Sequence, residues 1–521
     1  MATFTVDTLD DDPGAGLTLR EALAQADGSK DPDTILFASA IQGGTIALTG
    51  GQLVVASDVT IDGGSGVTID AQGDSRVLLV QSGSSADHNE LTLEGLALTG
   101  GSLTTGIMRG GALYADRFAD LVLVDTTVSG NRVAAPAGTG YAAQGGGIFA
   151  FNSVTLTAST ITGNSATANG ATGGGIVAST VTVTNSTVSG NSVEGPLSYG
   201  GGIFAYAALT LTDSTVSGNS AAGLGGSQGG GIASRGGMAL SNSIVAGNSV
   251  AGTSSSGPDV GGTLTGSNGH NIFGSAVAGT AAGDLQSVAP SLLFAALDPA
   301  TGGGRLADNG GPTETIALRD ALNNPALGGA LPIAGLDTDQ RGEPRPSGPG
   351  TSPDVGAFEQ QQTRILGTDQ ADRLKGTAGD DVLRGLLGDD RLVGGAGDDV
   401  LRGGAGGDRL RGDPGADRFV IVRPEHAPLD ARHDEAILDF SRREGDRIDL
   451  GSIDAAEGRP GNQAFAFLGT GALTGAAQLR YAATADGDFL VTGSTDADAA
   501  AEFAFVVRTD LAGLRAGDFI L

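Results

Sequence analysis

The first regular pattern along the chain is helical. In LTLREALAQAD, residues 17–27, Leu19, Leu23 and the alanines fall on one side with Arg20 and Glu21 on the other, which predicts a short amphipathic helix. Beyond it the period shortens. Runs of Val, Ile, Leu and Thr such as TIALTGGQLVVASDVTIDGG and GVTIDAQ are each closed by glycine, aspartate or asparagine, the mark of strands joined by tight turns. The helix then caps a stack of strand-built coils.

Between about residues 110 and 250 the coil becomes an explicit repeat. GGGI recurs with its isoleucine at Ile148, Ile176, Ile203 and Ile232, followed by a strand such as VTLT or LTLT and then by STVSGNS or a close variant. The asparagines of that last element are Asn131, Asn164, Asn191, Asn219 and Asn248, and the later spacings are 27, 28 and 29 residues. One copy per coil follows, so the asparagines stack into a ladder whose amides serve neighbouring turns, a structural role rather than a catalytic one. From residue 260 the repeat fades into SNGHNIFG, DNGGPTETIALRDALNNPAL, TDQRGEPRP and PDVGAFE, read as irregular final coils and a closing cap.

A second, shorter period begins at Gly367. Six nonapeptides run without a gap to Val420: GTDQADRLK, GTAGDDVLR, GLLGDDRLV, GGAGDDVLR, GGAGGDRLR and GDPGADRFV. They fit the template GGxGxDxUx, with Asp372, Asp381, Asp390, Asp399, Asp408 and Asp417 at position six and Leu374, Leu383, Leu392, Leu401, Leu410 and Phe419 at position eight. A disordered acidic linker does not keep an apolar residue at every ninth place.

Each position has a physical task. Glycines at positions one, two and four, here Gly376, Gly379, Gly385, Gly388, Gly394, Gly395, Gly397, Gly403, Gly404, Gly406 and Gly412, free the backbone to turn carbonyl oxygens toward a common centre. The aspartate adds the anionic oxygen that a hard cation such as Ca2+ prefers. The eighth residue fills a narrow core, and the seventh, Arg or Val, faces water. Two nonapeptides complete a coil, so ions belong between Asp372 and Asp390, Asp390 and Asp408, Asp381 and Asp399, and Asp399 and Asp417. Thr368 and Gln370 weaken the first loop, and Asp413 and Pro414 stiffen the last.

Composition narrows the partners. The 521 residues include 90 glycines, no cysteine and no tryptophan, which disfavours a layered globule and excludes thiol chemistry. A formal charge of -30 repels nucleic acid and anionic membranes and favours divalent cations. There is no apolar run of membrane-spanning length, and MATFTVDTLDDDPG lacks the basic and apolar regions of an N-terminal signal.

Three resemblances follow from these residues. LTLREAL, the SGN coils, DNGG, TDQRGEPRP and DVGAFE resemble the bacterial surface β-helix proteins with a "choice-of-anchor Q" ending, which implies a right-handed parallel β-helix in an extracellular or cell-surface setting. The nonapeptides resemble RTX repeats, which implies a calcium-filled parallel β-roll. AILDFSRREGDRIDL and the stretch from NQAFAF onward resemble the C-terminal domain of serralysin proteases and other type I secretion substrates. In that comparison Asp518, Phe519, Ile520 and Leu521 match the ending of an exported chain, which implies an ABC exporter as partner and calcium-driven folding outside the cell.

Chemistry is harder to place. His88, His270, His426 and His433 form no HExxH pair, so serralysin-type proteolysis is excluded. A β-helix joined to RTX repeats also resembles the mannuronan C-5-epimerases, but the coils from 134 to 250 hold only Glu194, Asp213 and Arg235 as charged residues. For a lyase or epimerase the scattered candidates are Lys30, Arg76, His88, Arg109, Tyr114, Asp116 and Arg117. Arg109, Tyr114, Asp116 and Arg117 lie within nine residues, and surface salt bridges account for them. His270 reads as a hydrogen-bonded turn residue, and Asp339, Arg341 and Arg345 as an ion-pair group of the cap.

The expected architecture is all-β: a cap (1–30), a right-handed parallel β-helix (31–259), final coils and closing cap (260–363), an RTX β-roll (364–420) and a C-terminal β domain with the secretion signal (421–521). The expected function is that of a secreted, calcium-binding adhesin, matrix or glycan-binding protein, the glycan meeting the Thr- and Ser-rich face. An extracellular lyase or epimerase for acidic polysaccharide is the alternative.

Overall fold

The computed structural model describes the whole chain except residues 1, 15, 29–30, 83–87, 137–139, 320, 322, 346–351, 361–362, 378, 423–434 and 457–462. Strand accounts for 41% and helix for 4%, so the chain is mostly β with parallel sheets. It divides into two compact units, Met1–Gln360 and Gln361–Leu521.

In the first unit the helix Leu19–Ala26 starts at Thr18, whose hydroxyl accepts the Glu21 amide while the Glu21 carboxylate accepts the Thr18 amide. Leu19, Ala22, Leu23 and Ala26 are buried. Arg20 is not simply outside as expected: it ion-pairs with Asp11 at 2.8 Å and donates to the carbonyls of Gly51 and Gln52, tying the helix to the coil beneath.

The repeat then stacks in parallel register. Ile148, Ile176, Ile203, Ile232 and Val260 are successive partners, as are Leu156, Val183, Leu211 and Leu240, and all point into one buried core. Each full coil then adds two short strands, such as Ser192–Glu194 and Leu197–Tyr199, which form an outer lobe in separate sheets of six and three strands. Its seam is made of small residues including Ala143, Ala166, Ala171 and Ala221.

Two buried ladders hold the coils in register. Asn131, Asn164, Asn191, Asn219 and Asn248 each donate from Nδ2 to the next side-chain oxygen, at 2.9–3.0 Å, and the last donates to Asp259. The same oxygens accept the preceding asparagine's backbone N–H. A parallel ladder of hydroxyls runs through Thr126, Ser159, Ser186, Ser214 and Ser243. Every asparagine donor and acceptor is thereby engaged inside the protein, which is where buried amides need partners.

The described residues between 290 and 359 fold back along the side of the coils. Gln340 Nε2 donates to Thr160 Oγ1 at 2.8 Å, Thr187 Oγ1 donates to Gln340 Oε1 at 2.6 Å, and Asn185 and Asn242 reach the carbonyls of Thr338 and Leu331. Thr160, Thr187, Thr215 and Ser217 are buried as a result. This part of the Thr- and Ser-rich face is covered by the chain itself and is not available to a glycan. Within the segment Arg341 pairs with Asp339 at 2.7 Å, and Arg345 pairs with Glu359 at 3.1 Å, the ion-pair group the motif implied.

In the second unit the repeat distance is 18 residues: Leu383 pairs with Leu401 and Leu401 with Phe419 on one sheet, Leu374 with Leu392 and Leu392 with Leu410 on the other. Leu383, Leu392, Leu401, Leu410 and Phe419 are fully buried between the sheets. Position seven splits by residue type. Arg373, Arg391, Arg409 and Arg418 are exposed as expected, but Val382 is 3% exposed and Val400 half-buried, so one side of the coil stack is not open to water at those points.

Both sheets continue past the nonapeptides. Phe419 pairs with Ile448 and Ile448 with Phe519, while Leu410 pairs with Ile437 and Ile437 with Val507. The chain's end is therefore the last strand of a roll sheet, and one apolar core runs from Leu383 to Phe519. Asp518, 1% exposed, is ion-paired with Arg442, which holds its carboxyl below the usual range despite burial.

Candidate calcium site

The position-six aspartates form two rows, one per side. Asp372 N–H donates to Asp390 Oδ1, Asp390 to Asp408, Asp381 to Asp399 and Asp399 to Asp417, each at 2.8–2.9 Å and 18 residues apart. One oxygen of each carboxylate is thus used by backbone. The other is stranded: Asp381 Oδ1 and the Oδ2 atoms of Asp390, Asp399, Asp408 and Asp417 have no hydrogen-bond partner, on residues at most 2% exposed. Buried anionic oxygens without partners carry a desolvation cost that only a proton or a cation removes.

Burial accordingly drives Asp390, Asp399, Asp408 and Asp417 toward the protonated form. It pushes Asp399 up to about 7, Asp408 to about 6 and Asp417 to about 8, with neighbouring carboxylates adding to the rise and backbone N–H groups opposing it. Asp390 moves the same way. The first two loops also serve their own carboxylates: Asp372 Oδ2 accepts Thr368 N–H at 2.6 Å and Thr368 Oγ1–H at 2.9 Å, and Asp381 Oδ2 accepts Thr377 N–H and Thr377 Oγ1–H.

The glycines divide by task. At position one, Gly376, Gly385, Gly394, Gly403 and Gly412 do not adopt the left-handed angles expected; they give space. A methyl group there would lie 2.4, 2.0, 2.1, 2.0 and 1.9 Å from the Oδ2 of Asp381, Asp390, Asp399, Asp408 and Asp417 respectively. At Gly385 the same methyl would stand 2.5 Å from the carbonyl of Gly403, so carboxylate and carbonyl oxygens converge at that point. Positions two and four do need freedom: Gly395 and Gly404 have φ of +127° and +119°, and Gly388, Gly397 and Gly406 have +107°, +115° and +144°. Gly379 has neither constraint.

Two ladder members lie outside the nonapeptides and were not singled out from the sequence. Asp408 N–H donates to Glu435 Oε2 at 3.2 Å, and Asp417 N–H to Asp446 Oδ1 at 2.9 Å. Burial pushes Asp446 up to about 6 and Glu435 well above its usual value. For Asp446 the signal was present, because GDRI at 445–448 repeats the Asp-Arg-apolar order of the loops. An outer row of position-five aspartates, Asp380, Asp389 and Asp398, accepts loop N–H groups one coil on.

Stacked carboxylates with one free oxygen each, beside carbonyls, form the all-oxygen donor set of a hard divalent cation. Residues 366–401 and 384–419 match the family described as RTX calcium-binding nonapeptide repeat (4 copies). These loops are RTX calcium-binding repeats. A comparison with curated proteins finds no match to the chain. RTX repeats bind calcium, and proteins carrying them are typically secreted. No helix among the described residues is long and apolar enough to cross a membrane.

The residues weighed for catalysis lie in the first unit. Lys30, His426 and His433 fall outside the described residues. Arg76 is buried, with its donors on the carbonyls of Gly110, Ile107 and Arg109 and on Gln52. His88 stands 3.3 Å from Asp120. Arg109 and Arg117 do not make the expected salt bridges: Arg109 lies over Phe149 and Phe151, and Arg117 over Phe151. Tyr114 stacks on Phe149, and Asp116 accepts Ser82 N–H and Oγ–H. His270 occupies a left-handed turn at φ 61° and bonds the Gly329 carbonyl, the turn role expected of it.

Proposed function

We propose that the chain is a secreted protein whose RTX roll folds on calcium outside the cell and whose coils present a rigid binding surface. The observation that carries this reading is the double row of stranded aspartate oxygens from Asp381 to Asp417. Without cations those charges repel one another, so the roll stays open at low calcium; millimolar calcium supplies the missing partners and folding follows.

The finer parts of the reading follow from this. The coils of residues 31–259 are a right-handed parallel β-helix of the choice-of-anchor Q type, capped by 1–30 and closed by 260–363; residues 364–420 are the β-roll and 421–521 a serralysin-like terminal domain. Ions sit between Asp372 and Asp390, Asp390 and Asp408, Asp381 and Asp399, and Asp399 and Asp417. Glu435 and Asp446 extend the two rows. A type I ABC exporter reads the Asp518–Leu521 end before folding, since Asp518 and Phe519 are buried in the folded unit.

Outside the cell the β-helix serves adhesion, matrix assembly or glycan binding. The lyase or epimerase alternative draws on Arg109, Tyr114 and Arg117, which gather around Phe149 and Phe151, and on Asp116, which is held by Ser82. Calcium titration of the full chain, read by amide hydrogen exchange over residues 381–420, tests the calcium reading: protection should rise cooperatively, and exchange indifferent to calcium defeats it. Incubation with acidic polysaccharides, followed by unsaturated-uronate absorbance, separates binding from lyase chemistry.

A further inference from the structure

The coils carry their positive charge in a row. Of the five arginines between residues 76 and 235, Arg76, Arg109, Arg117 and Arg235 lie over aromatic rings, at 4.9–5.7 Å from the ring centres. The rings lie outside the main coil core on strands in register: Tyr114, Phe149, Val177 and Phe204 are successive partners, with Tyr114 half-buried and Phe149 and Phe204 each 2% exposed. From the coil of Leu79 to that of Ala233 the row spans five strand spacings, roughly 24 Å.

At its Tyr114 end the row opens into a cleft of about 540 Å³. The cleft exists because the outer lobe begins at Ser102–Leu103 and the preceding coils lack it, leaving a step in the surface. Leu79 and Tyr114 form the coil side and Ile107, 60% exposed, the lobe side, with Gln52, Gln81 and Asp116 as polar lining. Arg76 is fully engaged and holds the wall.

The cations beside this cleft lack counter-ions. Among the described residues Arg117 is exposed with no ion pair, and Arg109 bonds only the amide oxygen of Gln144. Asp116, next to Arg117 in sequence, is occupied by Ser82 and the Phe118 N–H. Unpaired guanidinium groups are unexpected on a chain of net charge -30 unless an anion uses them. Half-buried rings, primary amides and arginines together suit a ligand with apolar ring faces, hydroxyls and carboxylates.

We propose that the cleft and the arginine row beside it bind an acidic polysaccharide, with a uronate ring against Tyr114 and Ile107 and carboxylates on Arg109 and Arg117. This rests on the reading of the coils as a binding surface and names the site and ligand class. A linear polyanion running along the stack meets Arg235 farther on.

The test is calorimetric titration of the full, calcium-loaded chain with hexagalacturonate and with the neutral cellohexaose. Hexagalacturonate should bind and weaken with added salt, and cellohexaose should bind at least about tenfold more weakly. Arg117→Gln and Ile107→Glu, both at exposed side chains, should each weaken hexagalacturonate about tenfold or more with an unchanged melting temperature. If both sugars bind equally and the variants weaken both, the glycan surface stands and the anionic class falls. Binding that both variants leave intact puts the polyanion on the roll's calcium and overturns the site. No binding of either sugar overturns site and class, while calcium-induced protection of residues 381–420 is read separately. Self-association in sedimentation that Ile107→Glu abolishes makes the face a contact between copies and also overturns the proposal.

Discussion

Asp399→Asn should change the sign of its effect when calcium is added. Asp399 is 1% exposed, its Oδ1 accepts the Asp381 N–H, and its Oδ2 has no partner. Burial raises its pKa from 3.8 to about 7. In a calcium-free chain the unfolded state ionises first, so nothing is lost below about pH 4, a cost builds between about pH 4 and 7, and it is constant above. At about 1.4 kcal/mol per unit the ceiling is about 4 kcal/mol. Asparagine keeps the acceptor for Asp381 and never ionises, so at pH 8 without calcium the variant roll should be more stable than the parent, by up to that ceiling.

With calcium the order reverses. In the proposed arrangement Asp399 would be shared by the ions facing Asp381 and Asp417, and each ion would contribute about 2.7 kcal/mol when calcium is 100-fold above its Kd. Loss of an anionic oxygen from both sites should cost the variant up to about 5 kcal/mol of calcium-dependent stability. Amide exchange of peptides covering residues 391–411 at pH 8, with chelator and with calcium, reads both arms. A variant that exchanges faster than the parent under both conditions refutes the account, because the stranded oxygen would then not be the source of the apo cost.

Leu386 holds φ of 84°, a conformation that costs a branched residue about 1 kcal/mol or more, so Leu386→Gly should stabilise the roll by about that much in denaturant unfolding with calcium present. Gly385→Ala would place a methyl 2.0 Å from Asp390 Oδ2, and its calcium midpoint should rise at least about tenfold; an unchanged midpoint would remove Gly385 from the site. Asn191→Ala strips acceptors from Asn164 and a donor from the Ile161 carbonyl, all buried, so melting of the first unit should fall by about 2–4 kcal/mol of stability regardless of calcium.

The ladder asparagines and the nonapeptide aspartates were legible because each repeats at a near-constant distance, and a period in sequence becomes a row in space whenever coils stack in register. His270 and the Asp339, Arg341 and Arg345 group were legible for a different reason: they stand in short motifs with turn chemistry, although Gly329 and Glu359, the partners of His270 and Arg345, lie 59 and 14 residues away. Arg109 and Arg117 were misread as salt-bridge formers because their partners, Phe149 and Phe151, are more than 30 residues away in sequence, one coil on. Glu435 escaped because the 27 residues from Asp408 break the 18-residue period, and only the pairing of Arg409 with Ala436 reveals the row.

What the sequence determined by itself is therefore the periodic part: parallel coils, an asparagine ladder, and six acidic loops with an apolar residue at every ninth place. Periodicity encodes these locally, since each copy needs only its neighbours. Tertiary structure decided everything that depends on contacts without a period. It folded residues 290–359 over Thr160, Thr187 and Thr215, removing a face that looked open, and it set Phe519–Ile520 as the closing strand of the roll. It also stranded one oxygen of each position-six aspartate from Asp381 to Asp417: a backbone N–H 18 residues away claims the other in Asp390, Asp399, Asp408 and Asp417, the Thr377 N–H of its own loop does so in Asp381, and the stacked loops exclude water.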